Sequence, residues 1–383
     1  MKDNSTQYFY TVDFLRGLGA LVILVWHYHH FYFTKAYFTY PGDNPVWNFD
    51  TQPFYEYLKI FYHQGGWAVQ FFWMLSGFVF ANVYLNSNIT LKDFFVNRFA
   101  RLYPLHFVTL IAITIFQLLN MTYIGQFQIV GNIDLLHFIL HVFFASNWGF
   151  EESGTYSFNS VIWSVSLEIL VYSIFYTLLR KLNKNPLLVS LLIALVSFVL
   201  QIKFGLIWQC IFYFFSGVFF FSLIKKISIK NLLYFSILLI FLTPVIVKLF
   251  YSINNIYLID TSLEKYLSTL NSLILKGNLA LFMGGGILLA AYFDITKKLY
   301  KYNRVFSWVG NNTYSTYLWH LPAQVLVLFF IDYYAISRTI FNNELIFILW
   351  ITSIIMIGRI SYIYIENPSK KFIKEKFSEN KKN

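Results

Sequence analysis

The chain has 383 residues, 57% of them hydrophobic, 22% aromatic and only 12% charged; a soluble domain carries about 25% charged residues, so an ordinary soluble fold is excluded. The single cysteine, Cys210, lies in an apolar block and allows neither an intrachain disulfide nor a cysteine metal cluster. The net charge of +11 is spread over short loops between apolar blocks, where it serves topology rather than a nucleic-acid face.

Taken in chain order, the apolar blocks predict ten spans at about 12–33, 67–85, 102–122, 161–180, 186–203, 205–224, 231–250, 270–293, 305–331 and 342–365. Each is long enough to cross roughly 30 Å of hydrocarbon. The stretch 133–148, IDLLHFILHVFFASNW, is shorter and is expected to form an interfacial or re-entrant helix. The expected fold class is an all-α integral membrane bundle of about ten transmembrane helices with that one extra helix. It is read as a single transmembrane domain over residues 1–383, without a fused soluble domain or a cleavable signal peptide.

With the N-terminus in the cytoplasm, the inner loops carry Lys92, Arg98 and Arg101; Arg180, Lys181 and Lys184; Lys225, Lys226 and Lys230; and Lys297, Lys298, Lys301 and Arg304. The tail adds Lys370, Lys371, Lys374, Lys376, Lys381 and Lys382, whereas the outer segments hold scattered cations such as Lys35, Lys59, Lys265 and Arg338. Every second loop is basic, as the positive-inside rule requires, and a full span at 133–148 would spoil the alternation. Both termini are thus expected in the cytoplasm, with longer outer segments at about 34–66 and 123–160. Contact with anionic lipid is the simplest role for the tail.

Chemistry is concentrated in a few polar residues inside these spans. The first, FLRGLGALVILVWHYHHFYF, carries Arg16 and His27. Eleven residues turn a helix through just over three full turns, so the two share a face about 16 Å apart along the axis. Asp13, one turn before Arg16, can orient or neutralise it. His27 is the candidate base, and the adjacent His29 and His30 do not suffice for a metal site without a carboxylate or thiolate at ligand spacing. In the fourth span, SVIWSVSLEILVYSIFY, Glu168 reaches a depth similar to that of His27 and can set its tautomer. Trp163 at that span's end suits an aromatic belt. Ser76-Gly77 in FFWMLSGFVFA permits close helix approach. Arg98 and Arg101, in VNRFARLYPLHF, lie one turn apart on an expected surface helix and suit a phosphate-rich ligand. In NNTYSTYLWHLPAQ, Tyr314, Tyr317 and His320 fall on one side of a helix, and Pro322 can free a backbone carbonyl. Arg359 and Glu366, seven residues apart, are expected on one face, paired with each other or with another span.

Taken together these segments resemble acyltransferase family 3, the integral-membrane acyltransferases of sugars and surface polymers. VDFLRGLGALVILVWHYHH looks like the family's first-helix pattern, an Arg and a His separated by ten residues. FFWMLSGFVFA, RFARLYP, IWSVSLEILVYS, TYSTYLWHLP and YIENP follow in the family's order. One departure is mild: the chain has Val-Asp-Phe-Leu-Arg where the family often shows Leu-Asp-Gly-Leu-Arg.

The resemblance implies that Arg16 and His27 are required for transfer. It implies an acyl-CoA donor, acetyl-CoA first, taken from the cytoplasm and held partly by Arg98 and Arg101. The expected reaction is acyl transfer to a hydroxyl of a cell-surface or exported polysaccharide, or of a glycolipid, with no metal. In this scheme Arg16 lines the donor's path, Ser76 borders it, and His27, oriented by Glu168 or another polar group, is the general base. Direct transfer and an acyl-histidine intermediate both stay open. The expected setting is the bacterial cytoplasmic membrane, with polysaccharide biosynthesis or export proteins and a second copy of the chain as further candidate partners. The rival class is a polysaccharide or lipid-linked sugar exporter that performs no chemistry; the paired broken helices of transporters are not evident. Within the family, acylation of a lipid or antibiotic is a further alternative.

Overall fold

The structure, a computed structural model, describes residues 7–33, 49–150, 156–257 and 264–378. All of its regular elements are helical: α1 (Tyr10–His27), α2 (Tyr55–Gln64), α3 (Ala68–Tyr84), α4 (Leu91–Tyr123), α5 (Leu135–Val142), α6 (Trp163–Lys184), α7 (Pro186–Phe204), α8 (Leu206–Ile224), α9 (Ile229–Tyr257), α10 (Glu264–Ile295), α11 (Asn303–Tyr333), α12 (Glu344–Ser361) and α13 (Asn367–Phe377). Short 3₁₀ turns and one π-turn, Tyr362–Glu366, connect several of them. Ten helical segments among the described residues are long and apolar enough to cross a membrane, and the protein is a multi-pass membrane protein. Parts of the longer outer segments, residues 34–48 and 151–155, lie outside the described residues.

Local signals set the helix ends. Thr90 accepts a hydrogen bond from the Asp93 N–H at 3.1 Å and starts α4. Asn185, followed by Pro186, starts α7, and Asn343 accepts from Leu345 N–H at 2.8 Å to start α12. Gly205, at φ +70°, separates α7 from α8, a conformation that costs glycine little. Two boundaries differ from the sequence reading. Arg98 and Arg101 lie on the opening turns of α4 itself, not on a separate surface helix, because Pro104 sits inside α4 without ending it. The stretch around 133–148 yields only the 8-residue α5, about 12 Å long and too short to span. Its Leu135, Leu136 and Phe143 are exposed while His141 is buried, the split expected of an interfacial helix. His106 Nε2 donates to the His141 carbonyl at 2.7 Å and fastens α5 to α4.

The chain divides into two compact units. The first comprises Met1–Arg16, Val69–Asn88 and Leu170–Gly310. There α7 pairs with α8, and α9 with α10. The Asp294 carboxylate, near the end of α10, accepts the Thr11 N–H at 3.0 Å and the Thr11 hydroxyl at 2.8 Å, meeting the positive end of α1. Helices α3 and α8 touch backbone to backbone: a Cβ on Gly77 would stand 1.8 Å from the Phe214 carbonyl oxygen, and one on Gly217 would stand 1.9 Å from that of Met74. The second unit comprises Gly17–Ala68, Ile89–Ile169 and Asn311–Asn383. In it α13 packs along α4.

The glycine contact is directly testable. Gly77→Ala and Gly217→Ala should each lower the unfolding temperature in detergent, since overpacking costs about 1–3 kcal/mol. Gly286→Ala, where nothing stands within 4 Å of the added carbon, should leave it unchanged or raise it.

Candidate active site

His27 ends α1, and its partner is an imidazole from α11. His320 Nδ1 donates to the Tyr317 carbonyl. A carbonyl only accepts, so neutral His320 carries its proton on Nδ1 and presents Nε2 as an acceptor. His27 Nδ1 lies 2.6 Å from that Nε2 and is therefore the donor. The remaining lone pair is on His27 Nε2, which has no hydrogen-bond partner among the described residues. The His27 and His320 rings lie nearly coplanar, edge to edge, and the His30 ring is near-parallel to His27 with centroids 4.8 Å apart.

Several polar contacts hold this arrangement. Pro322 has no N–H to give Leu318, and the released Leu318 carbonyl accepts from Asn159 Nδ2 at 3.1 Å. The Tyr317 hydroxyl donates to the Val161 carbonyl at 2.7 Å and lies 3.0 Å from Ser164 Oγ. The Tyr314 hydroxyl donates to the Leu102 carbonyl at 2.8 Å. Gln324 Nε2 donates to the His27 carbonyl at 3.0 Å. Beyond His27 the chain makes a 3₁₀ turn, Tyr28–Tyr32, clasped by a second 3₁₀ turn, Arg338–Asn342. Arg338 donates to the Phe31 carbonyl at 3.0 Å, Tyr28 to the Phe341 carbonyl at 2.9 Å, and Tyr32 to Asn342 Oδ1 at 2.9 Å. Arg338 also forms a two-pronged pair with Asp332, at 2.6 and 2.8 Å. Burial pushes the Arg338 guanidinium below its ordinary value, and the Asp332 carboxylate opposes that shift.

The structure sorts the other residues singled out in the sequence. His27 makes its hydrogen bond to His320 and not to Glu168. Glu168, half-buried on α6, is instead an electrostatic neighbour of Tyr314 and Tyr317. Equal depth in two helices does not fix which way each side chain faces. Trp163 is the first residue of α6 and is half-buried. Asp13 accepts from Arg16 at 2.7 Å and from the Tyr8 hydroxyl, so it both neutralises and orients the guanidinium. The other Arg16 donors have no partner among the described residues. Ser76 shares a 3.4 Å hydrogen bond with the Tyr172 hydroxyl beside the Gly77 packing contact. Arg359 does not pair with Glu366: it reaches Asn312 Oδ1 at 3.4 Å and lies over the Tyr362 ring. The π-turn between them has wider spacing and turns Glu366 out of the α-helical register. Glu366 is 2% exposed, accepts from the Ser315 hydroxyl at 2.7 Å and neighbours Arg101.

Sequence reasoning missed Asn159, Gln324, Asp332 and the structural role of Arg338. Pro322 was the available signal for Asn159, because it announces a carbonyl in need of a donor. Asp332 and Arg338 straddle a helix end and follow no periodic pattern. Among the described residues, no group of three or more His, Cys, Asp or Glu is placed to hold a metal ion.

Hydrogen-bonded imidazoles inside the spans of a multi-pass helical protein mark a candidate site for proton or group transfer. The comparisons narrow that choice. A family model described as an acyltransferase domain, that of acyltransferase family 3, matches residues 9–363. The chain belongs to this family. It is similar to the peptidoglycan O-acetyltransferase OatA of Listeria monocytogenes, with 23% identity over 409 residues covering 96% of this chain. The chain spans 56% of that relative's length. No solved structure matches it.

The Arg338–Asp332 clasp carries a prediction. Asp332→Asn leaves a buried guanidinium without its counter-charge, a loss of about 3–5 kcal/mol. The unfolding temperature of the purified variant should fall clearly below that of the parent, and an unchanged melt would show that the pair does not hold the clasp.

Proposed function

We propose that this protein moves an acyl group, acetyl first, from cytoplasmic acyl-CoA to a hydroxyl of a cell-surface or exported polysaccharide. The observation that carries the reading is the proton chain from His27 through His320 to the Tyr317 carbonyl, which leaves His27 Nε2 able to accept a proton. The family match and the similarity to a peptidoglycan O-acetyltransferase support an O-acyl transfer and a glycan acceptor. The basic alternate loops support a cytoplasmic membrane setting with both termini inside.

In this mechanism the acceptor hydroxyl gives its proton to His27 Nε2 as its oxygen attacks the thioester carbonyl. The C–S bond breaks, and the CoA thiolate leaves and takes up the proton from the imidazolium. His320 accepts from Nδ1–H throughout, which holds the His27 ring in place and stabilises its positive charge. General-base assistance of this kind contributes about 10²–10⁴-fold. Arg98 and Arg101 hold phosphates of the donor, since guanidinium forks match phosphate oxygens. Arg16, eleven residues before His27 on the same continuous α1, keeps free donors for the donor molecule.

The test is transfer by purified protein in proteoliposomes, with labelled acetyl-CoA and peptidoglycan fragments or another surface glycan as acceptor. His27→Ala should abolish transfer while the protein still folds. His320→Gln should lower kcat roughly 10–100-fold with the KM for acetyl-CoA unchanged, the usual cost of losing an orienting partner. Near-normal transfer by His27→Ala would overturn the mechanism, and glycan movement without label transfer would favour an exporter.

A further inference from the structure

We propose that Lys370 and Lys374, on the helix after the last π-turn, join Arg98 and Arg101 to form a cradle for clustered phosphates, and that the acyl-CoA head group occupies it. The inference rests on the acyl-CoA reading above and adds a second wall to the donor site.

The geometry begins with α13 lying along α4. Lys370 and Lys374 are one turn apart on α13, as Arg98 and Arg101 are on α4. All four side chains are half-buried, and both ammonium groups lie within electrostatic reach of both guanidiniums. Glu366 is one carboxylate beside them, near Arg101 and Lys370, with its Oε2 engaged by Ser315. Four cations thus gather where α13 meets α4. Like charges held this close repel one another, and a stable fold tolerates the arrangement when an anion relieves it.

The helix that carries the lysines is fastened at both ends. Glu366, at its start, is bonded to Ser315 of α11 at 2.7 Å. At its far end the Ser378 hydroxyl donates to Asp93 of α4 at 2.6 Å. A tail that only touched lipid would gain nothing from such anchoring, whereas a binding wall needs it. Lys371 and Lys376 on the same helix are exposed and remain available to the membrane surface. The cradle also connects with the imidazole pair. Tyr314, bonded to the residue after Arg101, precedes His320 on α11 by six residues, or about 9 Å of helix rise.

Phosphate groups in such a cradle can come from CoA or from an anionic lipid, and one experiment separates the two. CoA binding is measured by calorimetry with the full chain in nanodiscs of purely zwitterionic lipid, and again with anionic lipid added. Lys370→Gln/Lys374→Gln should weaken CoA binding about tenfold or more in zwitterionic discs. Lys371→Gln/Lys376→Gln, which removes the same charge from the exposed face, should change it less than about twofold. Without ligand, the first double variant should melt no lower than the parent, because it relieves repulsion. Unchanged CoA affinity in Lys370→Gln/Lys374→Gln, while Arg98→Gln/Arg101→Gln loses binding, would overturn this proposal and leave the donor reading intact. A lysine effect confined to anionic discs would assign the cradle to lipid and overturn it too. No CoA binding by the parent protein would overturn the donor reading itself.

Discussion

Inside hydrocarbon a polar group has no water to turn to, so each must be answered from within the protein. The pairing of His27 with His320 obeys this constraint and at the same time orders the protons. Because the Tyr317 carbonyl can only accept, both rings must point their protons the same way. The outcome is a bare Nε2 on His27 and a partner ring that accepts from its Nδ1–H. The Pro322 break follows the same rule, with Asn159 supplying the donor that the proline lacks.

Around that chain the second unit has tied down the flanking backbone. The clasp of Arg338 on Phe31 and Asp332 fixes the segment just after His27. Gln324 fixes the His27 carbonyl, and Tyr317 is held at both its hydroxyl and its carbonyl. Helix α11 thus reaches two places: Ser315 and Tyr314 toward the cationic helices α4 and α13, and His320 and Gln324 toward the end of α1. One helix sets the spacing between the cationic residues of α4 and α13 and the imidazole pair. Rigidity of this kind is what a transfer reaction asks of its scaffold, since small misplacements of reacting atoms are costly.

Much of the fold was legible because bilayer thickness and loop charge leave few alternatives; all ten spans are found where the apolar blocks lie. The alternation of basic loops correctly kept α5 from being counted as a span. Side-chain direction was less legible. Glu168 and His27 matched in depth, but depth says nothing about the way a residue faces in a bundle of unknown packing order. Arg359 and Glu366 matched in α-helical phase, and the π-turn between them cancelled that phase. His320 and Pro322 were visible as oddities in an apolar span; His320 bonds to His27, and Pro322 frees the carbonyl that Asn159 meets. The Arg338–Asp332 pair was invisible, because its partners meet across a turn whose shape no periodicity encodes.

The central claim is the direction of the protons in the histidine pair, and nitrogen NMR reads it directly. Protein labelled with ¹⁵N-histidine, its signals assigned by comparison with His27→Gln and His320→Gln, reports which ring nitrogens carry hydrogen. The account predicts that His27 and His320 are both protonated on Nδ1, with a bare Nε2 on His27. A His27 ring protonated on Nε2 and bare on Nδ1 would contradict it.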